Sequence, residues 1–156
     1  MRIAIGTDHR GRDAAENLRD RLVRDGHEAR LFGDTEADSV DYPDSAYLVG
    51  RSVGEGESEL GVLICGTGIG MSIAANKLPG IRAAVVSDEL TAELSRSHND
   101  ANVLCVSSDL LGRRKIDMIV DKFLMTEFEG GRHERRVNKI RAIESGRDPA
   151  TEDAPA

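Results

Sequence analysis

The sequence predicts a single-domain α/β protein in which one parallel sheet of five strands lies between two layers of helices. Strand and helix patterns alternate along the chain with short connections, which is typical of a doubly wound parallel sheet. The segment 60–64 is apolar throughout apart from Gly61, as expected for a strand that helices cover on both faces. With 156 residues, the chain is long enough to form one such domain with its own core.

The expected elements follow from the spacing of apolar residues and from helix-terminating residues. Leu18, Leu22 and Val23 mark one face of the first helix, and Gly26 ends it. The strands are predicted at 2–7, 27–32, 60–65, 81–86 and 101–106, and the helices at 12–24, 43–53, 71–77, 89–97, 111–124 and 132–144. This order gives a three-layer α/β/α sandwich of the Rossmann-like type.

The last helix adds no strand to the sheet, and its apolar stripe consists of Val137, Ile140 and Ile143. We expect this helix to pack on a second subunit, which indicates a homodimer, with a tetramer as the alternative. The domain is expected to span residues 1–145. Residues 146–156 contain Pro, Ala and acidic residues without periodicity, so they are predicted to form a disordered tail.

The composition argues against several classes of function. A formal net charge of −7 argues against nucleic acid as the main partner, and no apolar run approaches the ~20 residues of a membrane span. The N-terminus enters a strand directly instead of a signal peptide. Cys65 and Cys105 lie in or at the ends of apolar strands, so we expect reduced thiols and a cytoplasmic protein. Cys and His show no metal-ligand spacing, so neither a metal nor another cofactor is expected.

The chain is organised around the stretch 61–72, in which a strand ends at Cys65 and opens into a loop with glycines at 66, 68 and 70. Open α/β sheets bind ligands at the carboxyl ends of their strands. Glycines allow positive φ and a close approach, so that successive amides can point at one anionic oxygen. A dinucleotide-binding fingerprint needs glycine at position 71, and a cysteine phosphatase needs arginine there, but the residue is Met71. The Gly-Lys-Ser/Thr sequence of a P-loop is also absent. The stretch predicts an anion-binding loop beside a thiol; the alternatives are a tight turn and a buried apolar cysteine.

Polar side chains also follow the first strand and open the second helix. The carboxyl ends of parallel strands meet at one rim of the sheet, so these side chains are expected to lie together. They are Asp8, His9, Arg10 and Tyr42, which join Cys65 and Thr67 at this rim. For Asp8 the alternative is a capping role at the first helix.

A second group lies elsewhere in the predicted fold. His98 and Asn99 precede the fifth strand, so they belong to the opposite rim and would reach Cys65 only across a dimer interface. Arg132 and Arg136 are four residues apart on the last helix, so both guanidinium groups can bind one phosphate. The alternatives are a turn histidine at position 98 and a solvated helix face for the arginines.

Five segments resemble the ribose/galactose isomerase family, and within it ribose-5-phosphate isomerase B. They occur in the family's order and span nearly all of the chain before the tail: Gly-Thr-Asp-His at 6–9, Asp-Tyr-Pro-Asp at 41–44, Ile-Cys-Gly-Thr-Gly-Ile-Gly-Met-Ser-Ile-Ala-Ala-Asn-Lys at 64–77, Ser-His-Asn-Asp-Ala-Asn-Val-Leu at 97–104 and Glu-Gly-Gly-Arg-His-Glu-Arg-Arg at 129–136. The family also contains galactose-6-phosphate isomerase subunits, which generally lack the Gly-Gly-Arg-His-Glu-Arg-Arg part of the last segment. The resemblance therefore favours the pentose enzyme.

The resemblance implies an aldose–ketose isomerase of the pentose phosphate pathway. It would interconvert D-ribose 5-phosphate and D-ribulose 5-phosphate through a cis-enediolate, without a metal. Cys65 matches the base, His98 matches the ring-opening group that the partner subunit supplies, and the oxyanion site matches Thr67 with the amides of Gly66, Gly68, Ile69 and Gly70. The sugar-contacting positions match Asp8 and Tyr42, Asn99 lies beside the reacting end, and the phosphate-binding positions match His9, Arg132 and Arg136.

The sequence departs from the family at two positions. Arg10 stands where a small or apolar residue is usual, and Asp109 stands where the family usually has an arginine. We expect Arg10 to supply the missing cation and Asp109 to orient it across the dimer interface. The departures also leave a hexose 6-phosphate or another acidic sugar as an alternative substrate. A non-catalytic sugar-phosphate-binding regulator is a further alternative, although it would need neither Cys65 nor His98.

Overall fold

The computed structural model describes residues 1–33 and 38–151 and has the predicted three-layer architecture. Strands and helices alternate from β1 to α5, and one further helix follows. The strands are β1 (Arg2–Thr7), β2 (Glu28–Phe32), β3 (Leu60–Cys65), β4 (Ala83–Val85) and β5 (Val103–Ser107). The helices are α1 (Arg12–Arg24), α2 (Tyr42–Gly54), α3 (Ile69–Ala75), α4 (Glu89–Asn99), α5 (Arg113–Met125) and α6 (Arg132–Glu144).

The five strands form one parallel sheet in the order β2-β1-β3-β5-β4. In the register of the three central strands, Thr7 lies opposite Ile64, and Cys65 lies opposite Ser107. β1, β3 and β5 therefore end at the same level, and the loops that follow them share one rim of the sheet. This rim is called the carboxyl rim below.

The core lies on both faces of the sheet. All six residues of β3 are buried, as its apolar sequence predicts. Helices α1, α4 and α5 cover the face that contains Val62 and Ile64, whereas α2 and α3 cover the face that contains Leu63 and Cys65. The side chain of Cys65 therefore points toward the α2 and α3 layer. None of the described helices is long and apolar enough to cross a membrane.

Two element boundaries differ from the prediction in ways that matter for the site. α3 begins at Ile69, directly after Gly68, whose φ of 78° sets the turn into the helix. α4 continues to Asn99, so His98 and Asn99 occupy its last turn and not the connection before β5. The helix ends there because Asp100 adopts a left-handed conformation, with φ 47° and ψ 42°.

The C-terminal region also differs from the prediction. α6 packs on α4 of its own chain, and Val137, predicted to face a partner, is buried within the chain, while Ile140 and Ile143 stay exposed. Within the segment predicted to form a disordered tail, Pro149–Thr151 forms a 3₁₀ turn, and the Pro149 carbonyl accepts a hydrogen bond from Lys139 Nζ at 2.6 Å. Residues 152–156 of that tail lie outside the described residues.

Candidate active site

Cys65 lies at the end of β3 with its side chain almost wholly buried. Its Sγ accepts a hydrogen bond from the backbone N–H of Gly68 at 3.1 Å. The N–H of Ile69 donates to the Thr67 hydroxyl at 3.3 Å, and Thr67 is exposed. The loop therefore has the predicted amide-lined form beside the thiol, but two of its amides bind groups of the loop itself.

The three loop glycines have different physical roles. Gly68 has φ 78°, a region that favours glycine. Gly66 and Gly70 do not have positive φ, and they are needed for space instead. A Cβ at Gly70 would lie 2.7 Å from the ring of Tyr42, and one at Gly66 would lie 3.0 Å from Arg10 Nε. The loops after β1 and β3 and the start of α2 therefore meet closely at the carboxyl rim.

Arg10 and Asp109 form an ion pair above Gly66. Arg10 Nη2 lies 2.5 Å from Asp109 Oδ2, and Arg10 Nε donates to the same oxygen at 3.0 Å. This hydrogen bond and the charge of Asp109 raise the pKa of Arg10. The predicted pairing is confirmed, but its predicted position across a dimer interface is wrong. Both residues belong to one chain because β1 and β5 flank β3 in the sheet.

Asp8 is buried at the start of the turn into α1. Its Oδ1 accepts hydrogen bonds from the backbone N–H groups of Arg10 at 2.9 Å and Gly11 at 3.2 Å. The carboxylate therefore does stabilise the turn, as the capping alternative requires. Its Oδ2 makes no hydrogen bond to any residue that the structure describes, so this oxygen remains available to a ligand. His9 is exposed next to it, with Nδ1 3.4 Å from the carbonyl of Val40.

Three hydroxyl groups that the sequence analysis missed join the elements of this rim. Thr7 Oγ1 donates to the carbonyl of Ile64 at 2.8 Å, Ser45 Oγ donates to the carbonyl of Thr7 at 2.7 Å, and Ser107 Oγ donates to that of Gly66 at 2.5 Å. All three side chains are buried. Thr7 and Ser107 end apolar strands, and this position could have pointed to them, because a buried hydroxyl needs a partner. Ser45 lies on α2 and had no such signal.

A second cluster forms where the end of α4 meets the start of α6. The rings of His98 and His133 stack, with centroids 4.1 Å apart and planes 7° from parallel. Burial lowers the pKa of His133, and the neighbouring His98 and Arg132 side chains lower it further. Arg132 Nε donates to His133 Nε2 at 3.3 Å, which requires a neutral ring. No pattern in the sequence pointed to His133, because nothing in its spacing indicates that it stacks on His98.

The same cluster contains the one group of potential metal ligands that lie close together in residues 1–33 and 38–151. Donor atoms of His98, Glu129 and His133 lie within 4.8 Å of one another. The two rings are stacked and nearly parallel, so their lone pairs lie in two separate, nearly parallel planes and do not converge on one ion. Arg132 and Arg136 both lower the pKa of His133, which shows that two further cations are near. The cluster suits an anion better than a metal.

The two clusters lie at opposite ends of the sheet within one chain. Cys65 ends β3, whereas the carbonyl of Asn102, shortly after His98, accepts a hydrogen bond from the N–H of Gly61 at the start of β3. Gly61 and Cys65 are four positions apart along the strand, which corresponds to about 13 Å. The predicted separation of His98 and Asn99 from the Cys65 rim is confirmed. One chain therefore carries two separate halves of the predicted site.

Comparison with known proteins identifies the family of this chain. Residues 3–140 match the profile of the ribose/galactose isomerase family. The chain belongs to this family. It is 46% identical over 147 residues to ribose-5-phosphate isomerase B of Escherichia coli strain K12, an alignment that covers 94% of this chain and 99% of that protein. The family membership shows that the protein is an aldose–ketose isomerase.

Solved structures of family members have the same fold as this isomerase. Ribose-5-phosphate isomerase B of Clostridium thermocellum superposes with a TM-score of 0.91 at 47% identity, covering 94% of this chain and 99% of that one. The Mycoplasma genitalium enzyme, determined with bound ribulose-5-phosphate, superposes with a TM-score of 0.88 at 42% identity, covering 92% and 96%. The correspondence extends over nearly the whole domain.

The contact between Gly70 and Tyr42 leads to a first prediction. Alanine favours a helix over glycine by about 1 kcal/mol, but its Cβ would displace the exposed Tyr42 ring. We expect Gly70→Ala to change the free energy of unfolding by no more than about 1 kcal/mol and to lower isomerase activity roughly tenfold or more, because the ring moves out of position. Urea unfolding and steady-state kinetics measure the two effects.

Gly112→Ala is the matched control, because a Cβ at Gly112 meets nothing within 4 Å and its φ is −69°. This variant should keep full activity. In a Tyr42→Ala background, Gly70→Ala should cause little further loss, since both changes remove the same ring from the rim. Full activity of Gly70→Ala alone would contradict the role of this contact.

Proposed function

We propose that the protein interconverts D-ribose 5-phosphate and D-ribulose 5-phosphate at a site built from two copies of the chain. The observation that carries this proposal is the separation of Cys65 and His98 into two clusters on one chain. A reaction that needs both groups requires a second copy. The names and the bound ribulose-5-phosphate of the relatives support the choice of substrate.

In this mechanism Cys65 moves the proton between C2 and C1. The thiolate removes the proton from C2 of the open-chain aldose, and the electron pair forms the C1–C2 double bond of a cis-enediolate, which places negative charge on O1. Return of the proton to C1, with net transfer of the O2 proton to O1, gives the ketose. The N–H of Gly68, 3.1 Å from Sγ, supports this role, because a donor interacts more favourably with a thiolate than with a thiol.

The loop after β3 stabilises the charge that develops on the substrate oxygen. The Ile69 N–H donates to Thr67 Oγ1 over 3.3 Å, a long contact that a negatively charged oxygen can replace. The Thr67 hydroxyl is then free to donate to the same oxygen. The amides of Gly66 and Gly70 complete this oxyanion site, and its donors are fixed by the loop before the charge appears.

The second copy supplies the groups for ring opening and for the phosphate. His98 transfers a proton between the ring oxygen and the anomeric hydroxyl of the furanose, and Asn99 lies beside the reacting end. Arg132 and Arg136 bind the phosphate together with His9 of the first copy. The neutral His133 beneath His98 supports this assignment, because a stacked neutral ring holds His98 without competing for the phosphate charge. Asp8 and Tyr42 contact the sugar hydroxyls.

Exposed apolar side chains support a homodimer. β4 is an edge strand, and its Val85 is exposed. The helices before and after β4 in the chain also expose apolar side chains: Ile73 of α3 is 58% exposed and Leu90 of α4 is 63% exposed. Exposed edge strands flanked by apolar residues are usually covered by another chain. The free thiols of Cys65 and Cys105 fit a reducing compartment such as the cytoplasm.

A hexose 6-phosphate is the second candidate substrate, and the observation that favours it is the carboxylate of Asp109 at the rim. Asp109 is 35% exposed, so it can accept hydrogen bonds from an additional sugar hydroxyl if Arg10 turns away. In the proposal favoured here, Asp109 instead orients Arg10. The Arg10 Nη1 makes no hydrogen bond within the described residues, so it can donate to the phosphate.

The roles of Cys65 and His98 predict two different losses. Cys65→Ala should lose nearly all turnover yet still bind ribose 5-phosphate, because general-base catalysis contributes roughly 10²-fold or more. His98→Ala should be slow on ribose 5-phosphate and less impaired on a four-carbon aldose phosphate, whose phosphorylated hydroxyl cannot close a ring. Coupled assays without added metal and a binding titration measure these effects. Cys65→Ala turnover above about a tenth of wild type would exclude Cys65 as the base.

The shared site predicts complementation between inactive variants. Cys65→Ala and His98→Ala protomers, mixed and allowed to exchange, should recover up to about a quarter of wild-type activity, since random pairing makes half of the dimers mixed and each mixed dimer has one complete site. Exchange is verified with differently tagged chains. A mixture that stays inactive after exchange would show that each site belongs to one chain.

The Arg10–Asp109 pair predicts a specific kinetic signature. Arg10→Ala should raise KM for ribose 5-phosphate more than it lowers kcat, because a phosphate contact is present in both the ground and the transition state. Asp109→Ala should have a milder effect, and the double variant should be little worse than Arg10→Ala. Arg51→Ala is the matched control, because it removes a similarly exposed arginine that pairs with Glu55 on α2. Additive losses, or a preference for a hexose 6-phosphate that Asp109→Arg reverses, would favour the second candidate.

A further inference from the structure

Asp100, the residue directly after Asn99, has an unusual backbone conformation. Over the described residues it is the one non-glycine residue with positive φ, at 47°. Glycine adopts this conformation without steric cost and is the usual residue at such a helix end. The sequence has an aspartate here, inside the segment that contains His98 and Asn99, and the proposed chemistry does not use its side chain.

Two arginines hold the carboxylate of Asp100. Arg96 Nη1 lies 2.9 Å from Oδ1, and Arg82 Nη2 lies 2.8 Å from Oδ2. Arg82 Nε also donates to the Asp100 carbonyl at 2.8 Å. The three side chains are between 14% and 23% exposed, so the charges are largely shielded from water. The carboxylate is therefore fixed from two directions.

The two arginines are in turn anchored to different parts of the domain. The backbone N–H of Arg82 donates to Asn102 Oδ1 at 2.8 Å, which connects the turn to the entry of β4. The guanidinium of Arg96 lies over the ring of Phe123 on α5, 5.7 Å from its centroid. Phe123 is fully buried in the core. The end of α4 is therefore connected through Asp100 to β4 on one side and to the core helix α5 on the other.

This arrangement fixes the two residues before it. The N–H of Asp100 donates to the carbonyl of Arg96 at 3.1 Å, which closes the helical turn that contains His98 and Asn99. The N–H of Ala101 donates to the carbonyl of Ser95 at 2.9 Å. A largely buried ion pair contributes little net stability, because its desolvation cost offsets most of its attraction. The pair nevertheless holds its side chains in a fixed direction. The ion pairs of Asp100 with Arg82 and Arg96 therefore fix the orientation of the turn.

We propose that Asp100, held by Arg82 and Arg96, is a positioning residue that aims His98 and Asn99 into the site of the partner copy. The inference rests on the shared site of the proposed function. It extends the ring-opening machinery to a residue that does not touch the substrate.

Subunit mixing tests this role in a way that a general effect on folding does not reproduce. In a mixed dimer of Cys65→Ala and His98→Ala chains, the one complete site takes Cys65 from the His98→Ala chain and His98 from the Cys65→Ala chain. Asp100→Asn, which keeps the side-chain size and tolerates positive φ, is added to one chain at a time. In the Cys65→Ala chain it should lower the recovered activity roughly tenfold or more, because His98 loses its orientation. In the His98→Ala chain it should leave that activity unchanged, because its turn faces the incomplete site.

Asp117→Asn is the matched control, since it removes the charge of another partly buried aspartate, which pairs with Arg21 at 3.1 Å. It should have no effect from either chain. Asp100→Gly, which permits the same turn without a carboxylate, should reproduce the loss seen with Asp100→Asn. The positioning role alone would be overturned if Asp100→Asn lowered the recovered activity equally from either chain. It would also be overturned if Asp100→Asn in the Cys65→Ala chain caused no loss of activity. If the starting pair recovers no activity, the shared site fails, and this inference fails with it.

Discussion

The carboxyl rim depends on the parallel pairing of β3 with β1 on one side and β5 on the other. This register ends the three strands at one level, with Thr7 opposite Ile64 and Cys65 opposite Ser107. Loops that are distant in sequence therefore converge around one thiol. A slip of one residue would turn Cys65 to the other face of the sheet and would break the hydroxyl–carbonyl contacts that join the strand ends.

The same topology keeps the second cluster away from the first. Each helix returns the chain from the carboxyl rim to the start of the next strand, so a residue in the last turn of α4 lies at the amino ends of the strands. If Cys65 and His98 act on one substrate, as proposed, His98 therefore cannot act together with the Cys65 of its own chain. In a two-fold symmetric dimer, one interface would complete two identical sites. Assembly would then be a condition for activity and not only for stability.

Two groups of paired arginines and aspartates in this protein hold side chains in fixed orientations. The Arg10–Asp109 pair is about half exposed, and pairs this accessible to water add little to the stability of a fold. The Asp100 system is more buried, but desolvation offsets much of its attraction. Neither arrangement is explained by stability. Both hold a group in a fixed direction beside a residue of the candidate site, Gly66 in one case and Asn99 in the other.

The sequence by itself determined the element order, the fully buried β3, the loop after Cys65 and the separation of His98 from the carboxyl rim. These features are local, because they follow from apolar periodicity, glycine spacing and the direction in which parallel strands run. The tertiary structure decided which side chains meet. Arg10 and Asp109 are 99 residues apart and pair within one chain because β1 and β5 flank β3. His133 stacks on His98 because α6 lies on α4. Strand order and helix packing bring distant residues together, and no local pattern in the chain encodes those contacts.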